Sequence, residues 1–408
     1  MQQKKERLSN QAVRSYKIKS QLIRKLRTRF ATYGYEQVHT PAFEDYDTYA
    51  SIQKTVNKNE MIKVIDRSGK VLVLRPDGTI PITRSTALDR EINGSEQRLF
   101  YIFNVYREQG GNGSSKESTQ AGVELFGNKQ PEADAEVIAL AVHTLKEIGF
   151  DNFKLEVGHA GFFKELVEQA NLTDDELQQL EELIQSKNMV EMEPFLKQLK
   201  ISEELQQALY AIPLLYGNPQ AVLEETKAII RNEHMQEVLN NLKDVTEVLA
   251  DYGILEHLTL NLGLINNMHY YTDIIFQGFV ENIGKPVLMG GRYDQLGEQF
   301  GKAMPAIGFA YEVDVVLEAL KQHKRIEDNN NPPLQLLYVP EARGNAFSAA
   351  KLLREQGYPV ITKPLDRDAE QAGIIFQANG RVVVNGMEHQ VKTDDELLNI
   401  VEQATGGV

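Results

Sequence analysis

Residues 260–279, LNLGLINNMHYYTDIIFQGF, and residues 286–297, PVLMGGRYDQLG, carry the reading on which the fold turns. Two apolar, β-branched segments, Leu258 to Ile265 and Asp273 to Phe279, flank the polar aromatic run Asn266-Asn267-Met268-His269-Tyr270-Tyr271-Thr272. The pattern predicts adjacent strands. Gly290-Gly291-Arg292-Tyr293-Asp294 follows at hairpin distance and predicts a glycine-marked turn. Strands that bring a tyrosine pair, a histidine and glycine-exposed backbone together form the floor of a small polar-ligand pocket. The same residues also suit an ordinary antiparallel pair whose tyrosines cap the core.

Working outward, Ile18, Leu22, Leu26 and Phe30 recur every fourth residue and predict an amphipathic helix ending near Gly34. Gln37 to Glu44 reads as a strand whose Pro41 suits an edge or an interface. Ile62 to Asp66 and Val71 to Leu74 form a hairpin around Ser68-Gly69, followed by a helix running through Arg90. Arg98 to Tyr106 and Glu117 to Phe126 are partner strands across the glycine- and serine-rich loop 110–115, and Pro131 to Ile148 is a helix. Phe153 to His159 is a strand. Residues 162–252 turn helical and acidic, an insertion in which Thr173 with Glu176 forms a capping box and Ser202 opens a further helix. The core spans residues 1–325, a linker 326–333, and a small α/β domain 334–408 whose last helix is capped by Thr393 and Glu396.

Composition limits the function. A chain of 408 residues with 42% apolar and 25% charged residues belongs with multi-domain globular proteins. The absence of cysteine excludes thiolate metal sites, disulfides and cysteine nucleophiles, and agrees with cytoplasmic residence. No stretch reaches the length of a membrane span. A net charge of −14 opposes a nucleic-acid grip over the whole surface, although Met1 to Phe30 is strongly basic, with Glu6 its single acid. The glycines at 110–113 and 290–291 match neither P-loop nor dinucleotide spacing, so no cofactor and no metal is implied.

Six patches then occur in order: Thr40-Pro41-Ala42-Phe43-Glu44, Leu74-Arg75-Pro76-Asp77-Gly78-Thr79, Gln120 to Gly127, Tyr270-Tyr271-Thr272, Gly290 to Asp294, and Pro305 to Ala310. Together they resemble the catalytic core of class II aminoacyl-tRNA synthetases, and among them the histidyl enzyme. The resemblance implies an α+β fold: an antiparallel sheet flanked by helices, with a helical insertion and a reduced anticodon-binding domain at the C-terminus. It implies a dimer strand around Thr40 to Glu44 and a histidine pocket on the sheet. In that pocket Asp77 and Thr79 would hold the amino group, Glu124 with Tyr270 or Tyr271 would face the imidazole, and Gln120 would lie beside the carboxylate. Arg107, Gly290, Gly291 and Arg292 complete the implied ligand set. Carboxylates suit an ammonium and an imidazole N–H because charge-assisted bonds of this kind discriminate strongly.

The departures concern charge. Amino-acid activation needs cations around the ATP phosphate. Where the synthetases open the tyrosine segment with arginine, this chain has Asn266. Where they end motif 3 in glutamate and arginine, it has Asp314 and Val315, and Arg107 matches the motif 2 arginine only through a one-residue gap. Loss of the nucleotide contacts beside retained histidine contacts resembles the regulatory subunits of ATP phosphoribosyltransferase, paralogues of histidyl-tRNA synthetase. That resemblance implies a non-catalytic subunit that partners the short catalytic subunit in the first step of histidine biosynthesis, with histidine as effector. A divergent histidyl-tRNA synthetase and a stand-alone histidine- or tRNA-binding protein are the competing readings.

Overall fold

The structure is a computed structural model that describes residues 10–52, 58–89, 95–108, 116–265, 271–323, 333–365, 373–384 and 386–405. The chain divides into two compact units, Met1–Ile326 and Glu327–Val408. The first unit opens with helix α1 (Asn10–Thr32), strands β1 (Glu36–Gln37) and β2 (Phe43–Asp45), α2 (Tyr46–Ser51), β3 (Lys63–Ile65), β4 (Val71–Leu74) and α3 (Thr79–Leu88). Then come β5 (Gln97–Tyr106), β6 (Glu117–Phe126), α4 (Pro131–Ile148) and β7 (Phe153–His159). The insertion comprises α5 (Ala160–Ala170), α6 (Asp174–Gln185), α7 (Met189–Gln198), α8 (Glu203–Ala211), β8 (Tyr216–Gly217), α9 (Pro219–Thr226) and α10 (Glu233–Asp251). β9 (Leu258–Asn261), β10 (Ile274–Val280), β11 (Leu288–Arg292), β12 (Ala306–Glu312) and α11 (Val313–Gln322) complete the unit.

The described residues form a nine-stranded sheet in the order β1-β5-β6-β12-β11-β10-β7-β9-β8. Its centre, from β5 to β7, is antiparallel, while β1 joins β5 and β9 joins β7 in parallel. Alternation along each strand sorts side chains onto two faces. Phe100, Val123, Phe309 and Phe276 point to the side covered by α1 and α4, where Phe30 meets the rings of Phe100 and Phe309 edge-on at 5.6 and 6.1 Å. Tyr101, Phe126, Ile275 and Tyr293 point to the other side and form a second core with Tyr49, Val73 and Ile80.

Several local expectations hold. In α1, Leu22, Leu26 and Phe30 are buried. The 63–74 hairpin is antiparallel, and Gly69 adopts the left-handed φ of +86° that its turn requires. The Thr173–Glu176 capping box forms, with Glu176 N to Thr173 Oγ1 at 3.3 Å and Thr173 N to Glu176 Oε2 at 2.8 Å. Ser202 caps α8 through the Leu205 amide.

Other expectations are corrected. The segments at 258–265 and 273–279 are not neighbours: β7 lies between β9 and β10 and pairs with both. Gly290 and Gly291 lie inside β11 rather than at a turn, because Phe309, Phe276 and Tyr271 from adjoining elements occupy the space that a Cβ would need. The strand read across 37–44 is split. Residues 36–37 join the large sheet, whereas β2 joins a separate three-stranded sheet in the order β2-β4-β3. Pro41, with no N–H to donate, falls at the break. Loop 110–113 and Arg90 lie outside the described residues.

The second unit has a five-stranded sheet, its strands β13 (Leu334–Tyr338), β14 (Val360–Pro364), β15 (Ile374–Phe376), β16 (Arg381–Val384) and β17 (Met387–Gln390) arranged β14-β13-β15-β16-β17. Helices α12 (Arg343–Glu355) and α13 (Asp394–Thr405) accompany it. β17 is absent from the sequence reading; its exposed, polar MEHQ segment carries little strand signal.

Candidate ligand-binding site

The site lies on the face of the sheet away from α4. One cross-strand row decides its shape: Leu99, Glu124, Gly308, Gly291 and Ile275 are register partners across β5, β6, β12, β11 and β10. Glu124 is 1% exposed. Space for its carboxyl exists because the two neighbouring positions are glycines. A Cβ at Gly308 would overlap Glu124 Oε2, and one at Gly291 would come within 2.9 Å of the Tyr271 ring. A second pair of glycines admits Tyr101, whose ring fills the space that side chains at Gly78 and Gly122 would take.

Glu124 Oε1 accepts from the Thr79 hydroxyl at 2.8 Å, and Oε2 accepts from the Tyr293 hydroxyl. Burial nevertheless pushes the Glu124 carboxyl up to about 8, and nearby Asp77 adds to the shift against the pull of the two hydroxyls. Asp77, at the entry to α3, accepts the Ile80 amide at 2.9 Å. Its carboxyl is also raised by burial, opposed by that amide and by Arg107. Arg107 is steadied by a 2.7 Å bond from Nε to the Pro76 carbonyl. Gln120 donates to Glu312 Oε1 at 2.7 Å.

A cavity of about 60 Å³ brings together Asp77, Thr79, Arg107, Gln120, Glu124 and Tyr271, six of the residues singled out from sequence. Tyr270 and Asn266 lie outside the described residues. Gly291 lies under Tyr271 and supplies room rather than a contact. Gly290 and Arg292 do not line the cavity: alternation places both on the opposite face. Arg292 is instead bound to Asp134 there. Tyr101, Tyr293 and Glu312 also line the cavity and are missing from the sequence-derived set. Tyr293 is legible in the sequence once Gly290 to Asp294 is taken as a strand, since it then shares the side of Gly291 and opposes Arg292.

The two positions that stand where motif 3 ends, Asp314 for its glutamate and Val315 for the arginine that packs on ATP, are committed elsewhere. Asp314 accepts the Thr119 amide and the Lys19 ammonium, each at 2.8 Å. Val315 packs on the apolar core between the sheet and its helices. What remains at the cavity is acceptor-rich: three carboxyl groups and three tyrosines around the single guanidinium of Arg107 among the described lining residues. Such a site suits a small molecule with cationic or N–H donor groups and a single anionic end.

Comparison with known proteins agrees. The histidyl-tRNA synthetase family matches residues 10–316. The ATP phosphoribosyltransferase regulatory subunit of Oceanobacillus iheyensis is 45% identical over 382 residues, 92% of this chain and 91% of that protein. The chain belongs to the ATP phosphoribosyltransferase regulatory subunits, within the histidyl-tRNA synthetase family. The protein of the same name from Acetivibrio thermocellus is 37% identical over 84% of this chain and 82% of its own length. A crystal structure described as an ATP phosphoribosyltransferase regulatory subunit/histidyl-tRNA synthetase from Bacillus halodurans C superimposes with a TM-score of 0.79 at 30% identity, covering 89% of this chain and 95% of that one. Histidyl-tRNA synthetase from Nostoc sp. PCC 7120, at 17% identity and a TM-score of 0.77 over 95% of this chain and 96% of that one, shares the fold alone. The fold is thus that of the class II aminoacyl-tRNA synthetases. Among the described residues no helix is long and apolar enough to cross a membrane.

Proposed function

We propose that this chain is a non-catalytic regulatory subunit that acts in the cytoplasm with the short catalytic subunit of ATP phosphoribosyltransferase, and that it makes the first step of histidine biosynthesis responsive to histidine. One asymmetry supports the reading. The cavity keeps Asp77, Thr79, Glu124 and Tyr271 together, while Val315 stands where the arginine that packs on ATP is expected and lies against the core, and Asp314 beside it holds a backbone amide and a lysine. Histidine would enter with its ammonium toward Asp77 and Thr79, its imidazole toward Glu124 and Tyr271, and its carboxylate within reach of Arg107. Tyr270 belongs to the same proposed set.

Binding of histidine to one state of the assembled enzyme more tightly than to another would shift the complex toward that state, by no more than the difference in affinity. Self-association as a dimer is proposed through the Thr40 to Glu44 region. There Phe43 and Leu88 are 53% and 59% exposed beside a groove of about 620 Å³.

The deciding experiment is co-purification with the short catalytic subunit, followed by phosphoribosyl transfer with and without histidine. Transfer that requires this chain and is inhibited by histidine is the expected result. Robust ATP–pyrophosphate exchange with histidine by the isolated chain would reject the non-catalytic role.

A further inference from the structure

Arg292 belongs to the Gly290–Asp294 motif yet touches nothing in the cavity. It is 3% exposed, and all three of its guanidinium nitrogens are engaged. Nε and Nη2 donate to Asp134 Oδ1 at 2.9 and 2.7 Å, and Nη1 donates to the Asn128 carbonyl at 3.0 Å and to Asp294 Oδ1 at 3.1 Å. Asp134, in the first turn of α4, is 1% exposed. The backbone around Arg292 is bound into the same network. Its carbonyl accepts the Thr272 amide at 2.7 Å, and Tyr293 N donates to the Ala306 carbonyl at 2.7 Å. Asp294 N reaches Thr272 Oγ1 at 3.3 Å.

We propose that Arg292 is a positioning residue for the ligand cavity, acting through the two tyrosines that flank it in space. Because consecutive strand residues face opposite ways, a guanidinium pinned to α4 on one side fixes the phase in which Tyr293 emerges on the other. That phase brings the Tyr293 hydroxyl to Glu124. Through its carbonyl, Arg292 also holds Thr272, and with it Tyr271 at the cavity wall. Stability alone is a poor account of the arrangement, since a buried ion pair is often no better for stability than apolar residues of similar volume. A planar fork shared among a helix carboxylate, a loop carbonyl and a carboxylate two residues along defines one backbone position instead. The inference rests on the reading of the cavity as a histidine site.

The test uses the full-length chain carrying R292M together with D134L, a pair that removes the fork without leaving a lone buried charge. The double variant is expected to unfold at nearly the wild-type urea concentration and to bind histidine at least tenfold more weakly in calorimetry. R292K, which keeps the charge and loses the fork, falls between and serves alone if the double variant does not fold. Leu180→Ala, a buried site in the insertion, supplies the control: it lowers stability and leaves the dissociation constant unchanged. A folded double variant that binds within twofold of wild type overturns the proposal and leaves the histidine reading intact. If the wild type itself binds no histidine, the reading fails, and the ligand-free pH dependence of stability decides the positioning role. Because the double variant also removes the titrating Asp134, the readout is the change that Glu124→Gln makes to that dependence in the wild-type and double-variant backgrounds: it differs between them if Tyr293 has left Glu124, and an equal change overturns the proposal.

Discussion

Replacing Glu124 by glutamine should flatten the pH dependence of stability by a calculable amount. The unfolded chain releases the proton of this carboxyl near its ordinary 4.5, whereas burial in the fold holds it to about 8. Between those values the folded state carries the extra proton, so stability falls as pH rises, by about 1.4 kcal/mol per pH unit where the unfolded group is ionised and the folded one is not. The penalty approaches roughly 5 kcal/mol above pH 8, and about 2 kcal/mol of it accrues between pH 6 and pH 8. Glutamine keeps the shape, can still accept from Thr79 and has no proton to lose. Asp134, raised to about 6 by burial, and His159, lowered to about 4 by burial, titrate in both proteins and cancel in the difference. Urea unfolding followed by far-UV circular dichroism at pH 6, 7 and 8 measures the effect in a chain that has no tryptophan. Wild type should lose about 2 kcal/mol more than the variant across that range. Parallel profiles, within about half a kcal/mol, would refute the claim that an uncompensated carboxyl lies at the bottom of the cavity.

The same residue predicts that histidine binding near pH 7 expels a proton, because a cationic or N–H group beside Glu124 favours its ionised form; calorimetry in buffers of different ionisation enthalpy would show a buffer-dependent heat, and identical heats would count against it. Thr79→Val removes a 2.8 Å donor to Glu124 and should cost about 1–3 kcal/mol at pH 8, with a smaller loss at pH 6, read by the same unfolding assay. Gly308→Ala forces a methyl against Glu124 and the Val123 carbonyl, so histidine binding should disappear along with about 1–3 kcal/mol of stability; wild-type affinity would contradict the glycine row. Thr173→Ala breaks the capping box of α6 and should cost about 0.5–2 kcal/mol without changing the histidine dissociation constant.

Local chemistry made much of this architecture readable. The fourfold spacing in α1, the turn at Gly69, the capping box at Thr173 and the long apolar strands β5 and β6 are each set by interactions within a few residues of chain. The cavity was legible to the extent that its residues fall in motifs, as Asp77, Thr79 and Glu124 do. Long-range order was not. Nothing in Leu258 to Phe279 announces that β7, more than a hundred residues upstream of β10, separates two segments joined by a short connection. The phase of Arg292 was mistaken because Gly290-Gly291 reads as a turn in isolation. Only the packed rings of Phe309, Phe276 and Tyr271 reveal a strand whose missing side chains are a packing requirement.

The amide of Ala160 donates to the carbonyl of Asp273 at 2.7 Å, so the chain leaves β7, adds β8 and β9 on that strand's other flank, and comes back to it at β10. Everything between those two residues is an excursion of more than a hundred residues whose ends are clamped side by side. Pairing β7 with β10 before that excursion is compact would sacrifice chain entropy on a scale of about 4–5 kcal/mol. Prior compaction of the helices between the ends would lower that cost by shortening the span of free chain that closure must restrain.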